Sequence, residues 1–140
     1  MLYLDTSLLI AALTNEPQTR QMQGWLGDQD PDDLVISDWV ATEFSAALSI
    51  KLRTGGIEPR HRADALTMFT RICNDNVTMM PVSRAQFRIA ARFADQSALG
   101  LRAGDAQHLA VCAEQGATIC TLDRRLSEAA SALGIKTTLL

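Results

Sequence analysis

The sequence predicts an α/β protein, a three-layer α/β/α sandwich built around a mostly parallel five-stranded sheet. Short apolar runs alternate along the chain with longer stretches whose apolar residues recur every three or four positions, the pattern of strands joined by crossover helices. No hairpin signal joins any two of the strand-like runs, so the connections are expected to be right-handed crossovers and the sheet parallel, covered on both faces. The 140 residues suit one domain, residues 1–140, large enough to bury about two thirds of its unfolded surface.

Leu2 to Asp5 reads as a buried strand, and Ser7 is placed to cap a helix running to about Leu13. Pro17 suits the first turn of a second helix, whose apolar face ends at Trp25 and Leu26. After the acidic, turn-like Asp28 to Asp33, Leu34-Val35-Ile36 is the second strand. Ser37 or Asp38 caps the next helix, with Val40, Phe44, Ala47, Leu48 and Leu52 on one face and Glu43 beside them. Gly55-Gly56 stops that helix, and Pro59 opens another through Leu66, Phe69 and Ile72. Val77 to Val82 is strand-like, and Ser83 caps a helix containing Phe87, Ala90, Ala91 and Ala94. Beyond a turn at Gly100, Ala103-Gly104-Asp105 begins a helix that Gly116 ends. Ala117 to Thr121 forms the fourth strand with Asp123 just after it, and a last helix through Leu126, Ala129, Ala130 and Leu133 leads to a strand over Lys136 to Leu140.

Composition narrows the function classes. With 47% hydrophobic and 21% charged residues and no apolar run near the ~20 residues of a membrane span, the chain reads as a globular protein with no membrane association. Met1 leads directly into strand-like sequence with no basic region, so no secretory leader is expected. Cys73, Cys112 and Cys120 are odd in number and lack CxxC spacing; they read as buried free thiols in a reducing compartment, which places the protein in the cytoplasm. A net charge of −3 argues against broad, charge-driven nucleic-acid binding. A specific nucleic-acid enzyme remains compatible with it, because the positive charge is nearly all arginine, the better bidentate phosphate ligand, with Lys51 and Lys136 the only lysines.

The chemistry lies in four carboxylates, Asp5, Glu43, Asp105 and Asp123, each at a strand-to-helix junction or in the first turns of a helix. In an open α/β sheet, ligands bind in the crevice beyond the carboxyl ends of the strands. Carboxylates gathered there repel and raise one another's pKa unless a cation relieves them, and a hard cation such as Mg²⁺ takes oxygen ligands of this kind. His108, three residues after Asp105 and near an apolar stripe, reads as a packed or capping histidine rather than a catalytic one. Trp25 and Trp39 read as packing anchors, with base stacking the alternative. Arg88 and Arg92, one turn apart, and Arg102 are candidates to follow a phosphate backbone, against the plainer reading of solvated helix faces.

Taken in order, Leu4-Asp5-Thr6-Ser7, Thr42-Glu43-Phe44, Gly104-Asp105-Ala106-Gln107-His108 and Thr121-Leu122-Asp123-Arg124-Arg125 resemble the PIN-domain ribonucleases, toxins of the VapC type in particular. The resemblance runs from the first strand to the last. It implies an endoribonuclease dependent on Mg²⁺ or Mn²⁺ that hydrolyses RNA through a metal-activated water, the toxin of a type II toxin–antitoxin system, with a cognate antitoxin that blocks the site and a homodimeric assembly. Position by position, Asp5, Glu43 and Asp105 match the family's metal-binding acids and Asp123 its fourth acid. Thr6 matches the small hydroxyl residue after the first acid, and Thr121 the hydroxyl two residues before the last. Two rivals remain. In a non-catalytic binding module of the same fold the acids are only helix caps. A receiver- or phosphatase-like phosphotransfer domain wants a second Asp where Ser7 stands, or a lysine near the end of the last strand, where Lys136 instead precedes it.

Overall fold

The computed structural model describes residues 1–140. Five strands, β1 (Leu2–Leu4), β2 (Leu34–Ser37), β3 (Thr78–Met80), β4 (Thr118–Thr121) and β5 (Thr137–Leu139), form one sheet in the order β3-β2-β1-β4-β5. Every pairing is parallel. Leu2 stands in register with Leu34 on one side and Thr118 on the other, so β1 is the central strand. From β1 the chain steps outward to β2 and β3, then crosses back to β4 and β5 on the other side. The reversal of strand order falls beside β1, and its carboxyl end is where a crevice forms in such sheets.

Seven helices make the connections: α1 (Thr6–Leu13), α2 (Thr19–Gly27), α3 (Asp38–Arg53), α4 (Pro59–Asp75), α5 (Arg84–Ala94), α6 (Ala103–Gln115) and α7 (Arg124–Ala132). Neighbouring residues on a strand point to opposite faces of the sheet. Tyr3 with Leu4, and Ile119 with Cys120, are all fully buried, so helices cover both faces. Helix α1 is buried nearly all round, as an apolar helix in the interior must be. Phe44 of α3 stacks on Phe69 of α4, with ring centroids 4.4 Å apart. No helix is long and apolar enough to cross a membrane.

Several local details differ from the sequence reading. Asp5, not Ser7, is the N-cap of α1, because its carboxylate reaches the Ser7 amide. Pro17 precedes α2, which starts at Thr19; the Thr19 hydroxyl donates to the Ala11 and Thr14 carbonyls and ties the connection back to α1. Ser37 does hold the cap position of α3, but its hydroxyl bonds Tyr3 instead of the helix. Strand β3 is only Thr78–Met80, since Pro81 follows and cannot donate to a ladder. Pro59 opens α4, Ser83 and Gln86 form a capping box on α5, and Gly116 ends α6 in the left-handed region at φ 66°. All three cysteines are free; Cys112 and Cys120 are buried, whereas Cys73 on α4 is only half-buried. Burial pushes the Cys120 thiol up to about 11, so it packs as an inert apolar group.

Candidate functional site

Asp5 leaves β1 at the central carboxyl end and is 4% exposed. One of its oxygens is fully engaged: Oδ2 accepts from the Ser7 amide and hydroxyl and, at 2.8 Å, from the Thr121 hydroxyl at the end of β4. Thr121 Oγ1 in turn accepts from the Asp123 amide at 2.9 Å, and Ser7 Oγ accepts from the Leu122 amide at 3.1 Å. The ends of β1 and β4 are thereby locked together through side chains. Asp5 Oδ1 is left facing His108 Nε2 at 3.4 Å.

Glu43, one turn into α3, reaches the same point from the other side. Its Oε2 accepts from Thr6 Oγ1 at 2.8 Å and from His108 Nε2 at 2.6 Å. On the far side of the imidazole, His108 Nδ1 lies 2.8 Å from the Tyr3 hydroxyl, which sits 2.7 Å from Ser37 Oγ. This buried relay, Glu43–His108–Tyr3–Ser37, fixes the ring. Burial opposes a charge on His108, but the hydrogen bond to Glu43 and the fields of Asp5, Glu43 and Asp105 prevail and raise its pKa. For Glu43 burial likewise opposes charge, and the bond and charge of His108, together with Thr6, outweigh it and lower the pKa. The Trp39 indole supports the same carboxylate without reaching hydrogen-bond geometry. Space beside Glu43 comes from Gly104: a Cβ there would lie 2.3 Å from Glu43 Oε1.

Asp105 enters from the first turn of α6, where its Oδ2 accepts from the Arg102 amide at 3.1 Å. Burial first, and then the nearby Asp123 and Asp5 carboxylates, raise its pKa against the opposing Arg102 bond and His108 charge. Asp123 caps α7, with Oδ1 accepting from the Arg125 and Leu126 amides at 2.8 and 3.2 Å. Asp105 and Asp123 share a small crevice of about 50 Å³ with Arg102 and Arg125.

The tightest grouping is therefore Asp5, Glu43 and His108, whose ligand atoms all lie within 4.8 Å of one another. Asp105 flanks it and its charge is felt at His108, while Asp123 is felt at Asp105; both stand outside that distance. All four predicted acids share one feature. Each has one oxygen held by protein donors, while Asp5 Oδ1, Glu43 Oε1, Asp105 Oδ1 and Asp123 Oδ2 accept no hydrogen bond from the protein. Such a half-anchored set of oxygens fits a hard divalent cation, which binds carboxylates with part of their lone pairs free. Thr6 and Thr121, the two predicted hydroxyls, hold Glu43 and Asp5 respectively. His108 is packed, as expected, yet its bonds go to the acid cluster; the sequence reading made Ser7 a helix cap and missed its bond to Asp5, as it missed Gly104 and the Tyr3–Ser37 brace. Of the remaining candidates, Trp25 packs against the core, and Arg88, Arg92 and Arg102 are exposed.

A profile of the PIN domain matches residues 2–132 of the chain. No curated protein matches the sequence. Among solved structures, VapC20 of Mycobacterium tuberculosis, a sarcin-ricin loop cleaving toxin, aligns with a TM-score of 0.75 at 17% identity over 96% of each chain. FitAcB from Neisseria gonorrhoeae aligns with a TM-score of 0.70 at 16% identity over 98% of this chain and 96% of that one. VapBC2 from Rickettsia felis, bound to a DNA fragment from its promoter, gives 0.68 at 13% identity over 100% and 99%. At these identities the likeness establishes the fold.

Proposed function

This chain belongs to the PIN domain family, and from that premise we propose that it is a metal-dependent endoribonuclease and the toxin of a type II toxin–antitoxin pair. The observation that carries the reading is the set of four carboxylates at one edge of the sheet, each with one oxygen anchored and one free. Asp5, Glu43, Asp105 and Asp123 would hold Mg²⁺ or Mn²⁺. A divalent cation bound there supplies charge for the scissile phosphate and acidifies an attacking water. The protein's own part is preorganisation. Ser7 and Thr121 fix Asp5, Thr6 fixes Glu43, and the proton on His108 Nε2 offsets part of the negative charge while the acids carry no metal.

The test is calorimetric titration of the purified chain with Mg²⁺ and Mn²⁺, run beside cleavage of a structured RNA. Metal binding and cleavage that are both lost in Asp5→Asn support the reading. A chain that binds neither ion and leaves RNA intact is a binding module, and the reading falls. The partners of the reading are RNA, a small cognate antitoxin and a second copy of the chain, in the cytoplasm. The antitoxin would place a guanidinium among the carboxylates, where bidentate bonds compete with metal. The shared fold of VapC20, a sarcin-ricin loop cleaving toxin, supports the toxin reading. Equal growth of cells expressing wild type or Asp5→Asn without a partner protein would remove the toxin reading.

A further inference from the structure

Beside the acids lies a second feature, a cleft of about 230 Å³ between the start of α3, α5 and the start of α6. Trp39, Phe87, Ala90 and Ala106 line it, with Gln107 among them. Its walls are apolar, and the Phe87 ring stands 54% exposed. Gln107 is the exception. It is only 2% exposed, its Nε2 has no partner, and neither end of its amide hydrogen-bonds the protein. A buried amide without partners costs about 1–3 kcal/mol, and native folds rarely keep one.

Resting on the nuclease reading, we propose that this cleft takes one unpaired nucleobase of the RNA, stacked against Phe87 and read on its edge by Gln107. A base edge carries donors and acceptors side by side, which suits an amide that offers one of each. Unstacked bases held on aromatic rings are the usual currency of single-strand RNA recognition. The cleft also adjoins the acids. Gln107 lies between Asp105 and His108 on α6, Trp39 is one turn before Glu43, and Trp39 Nε1 and Glu43 Oε1 both crowd the Gly104 Cβ position at 3.6 and 2.3 Å. A base in the cleft would therefore sit beside the acidic edge. Helix α5, one wall, carries Arg84, Arg88 and Arg92 and no acid, a charge that suits a phosphate backbone. A second copy of this chain is the alternative occupant of an apolar cleft, and the dimer-to-monomer outcome of the experiment below tells the two apart.

The experiment uses uncharged nucleosides, which need neither metal nor cleavage. In a Trp25→Phe background Trp39 is the sole tryptophan, and its fluorescence is titrated with adenosine, cytidine, guanosine and uridine in EDTA. Unequal quenching by the four is expected. Phe87→Ala should weaken it about 5- to 150-fold, the worth of one stacking partner. Gln107→Glu, which only accepts, should change the order of preference among the bases. Equal quenching by all four, unchanged in both variants, overturns the proposal, and so does a Phe87→Ala chain that dissociates from dimer to monomer with quenching intact. Cleavage of RNA by the Trp25→Phe chain in Mg²⁺ is assayed separately, so a lost nuclease reading and a lost base site give different results.

Discussion

Two junctions of the molecule share one local plan and differ in outcome. At the end of β1 Asp5 caps α1, and at the end of β4 Asp123 caps α7, each through its carboxylate to the second residue of the helix. Asp5 is buried and receives a side-chain donor from a distant strand; Asp123 is exposed and receives only backbone amides of its own helix. The difference follows from strand position, since β1 is central whereas β4 has only the short β5 between it and solvent. A strand–acid–helix pattern thus places a carboxylate at the sheet edge, and the tertiary setting decides how firmly that carboxylate is aimed.

The sharpest way to break this contrast is by charge removal at each junction. Asp5→Asn should lower metal-dependent cleavage by ~10²-fold or more, the scale of losing one preorganised electrostatic group, whereas Asp123→Asn should cost about tenfold or less because water screens it. Equal losses, measured as kcat/KM on one RNA, would show that burial is not what separates the two acids. Gly104→Ala comes next. The new methyl cannot coexist with Glu43 Oε1 as placed, so Glu43 must swing away and cleavage should fall by up to ~10²-fold, while the better helix former keeps the fold stable. Thermal melting alongside the rate assay distinguishes displacement from unfolding.

Thr121→Val tests the bolt between the two junctions. It removes the donor to Asp5 Oδ2 and the acceptor for the Asp123 amide, at a cost of about 1–3 kcal/mol in a urea denaturation series. If stability and rate are both untouched, the ends of β1 and β4 are not coupled through this hydroxyl. The smallest effect concerns Asp105. Its folded pKa is raised, so its favourable contribution is present in full below the unfolded value of 3.8 and is lost as pH rises through the folded value. Near neutral pH the metal-free chain therefore carries a cost that Asp105→Asn relieves. The variant should melt a few degrees higher than wild type in EDTA near neutrality and at the same temperature near pH 3; a lower melting point at neutrality would contradict the crowding of Asp105 by Asp123 and Asp5.

Most of this architecture is legible in the residues. Alternating apolar runs without hairpin turns specify crossovers and hence parallel pairing, and the caps Ser83 and Pro59 stand where their backbone chemistry requires. The order β3-β2-β1-β4-β5 is not legible, because it rests on contacts between residues far apart in the chain. Asp5 and Ser7 offer the same capping chemistry two residues apart, so only the structure shows which oxygen meets the free amide. His108 lies one turn from Asp105, a spacing that brings side chains together on a helix, but its bond to Glu43 depends on how α3 meets α6. Gly104 left a signal too, since a glycine in the first turn of a helix sacrifices stability unless something needs the room. Tyr3 and Ser37 become partners only through the packing of β1 beside β2.

The bond from Thr121 to Asp5 spans 116 residues of chain, and this distance bears on how the protein comes into being. During synthesis the amino-terminal residues emerge first, so Asp5, Glu43 and the β1–β2 pair are available long before the strand that fastens them. Contacts across so long a loop form late, after its closure entropy has been overcome. Whatever chemistry the acids perform is thereby withheld from a growing chain until β4 has been made and Asp5 is clamped in place.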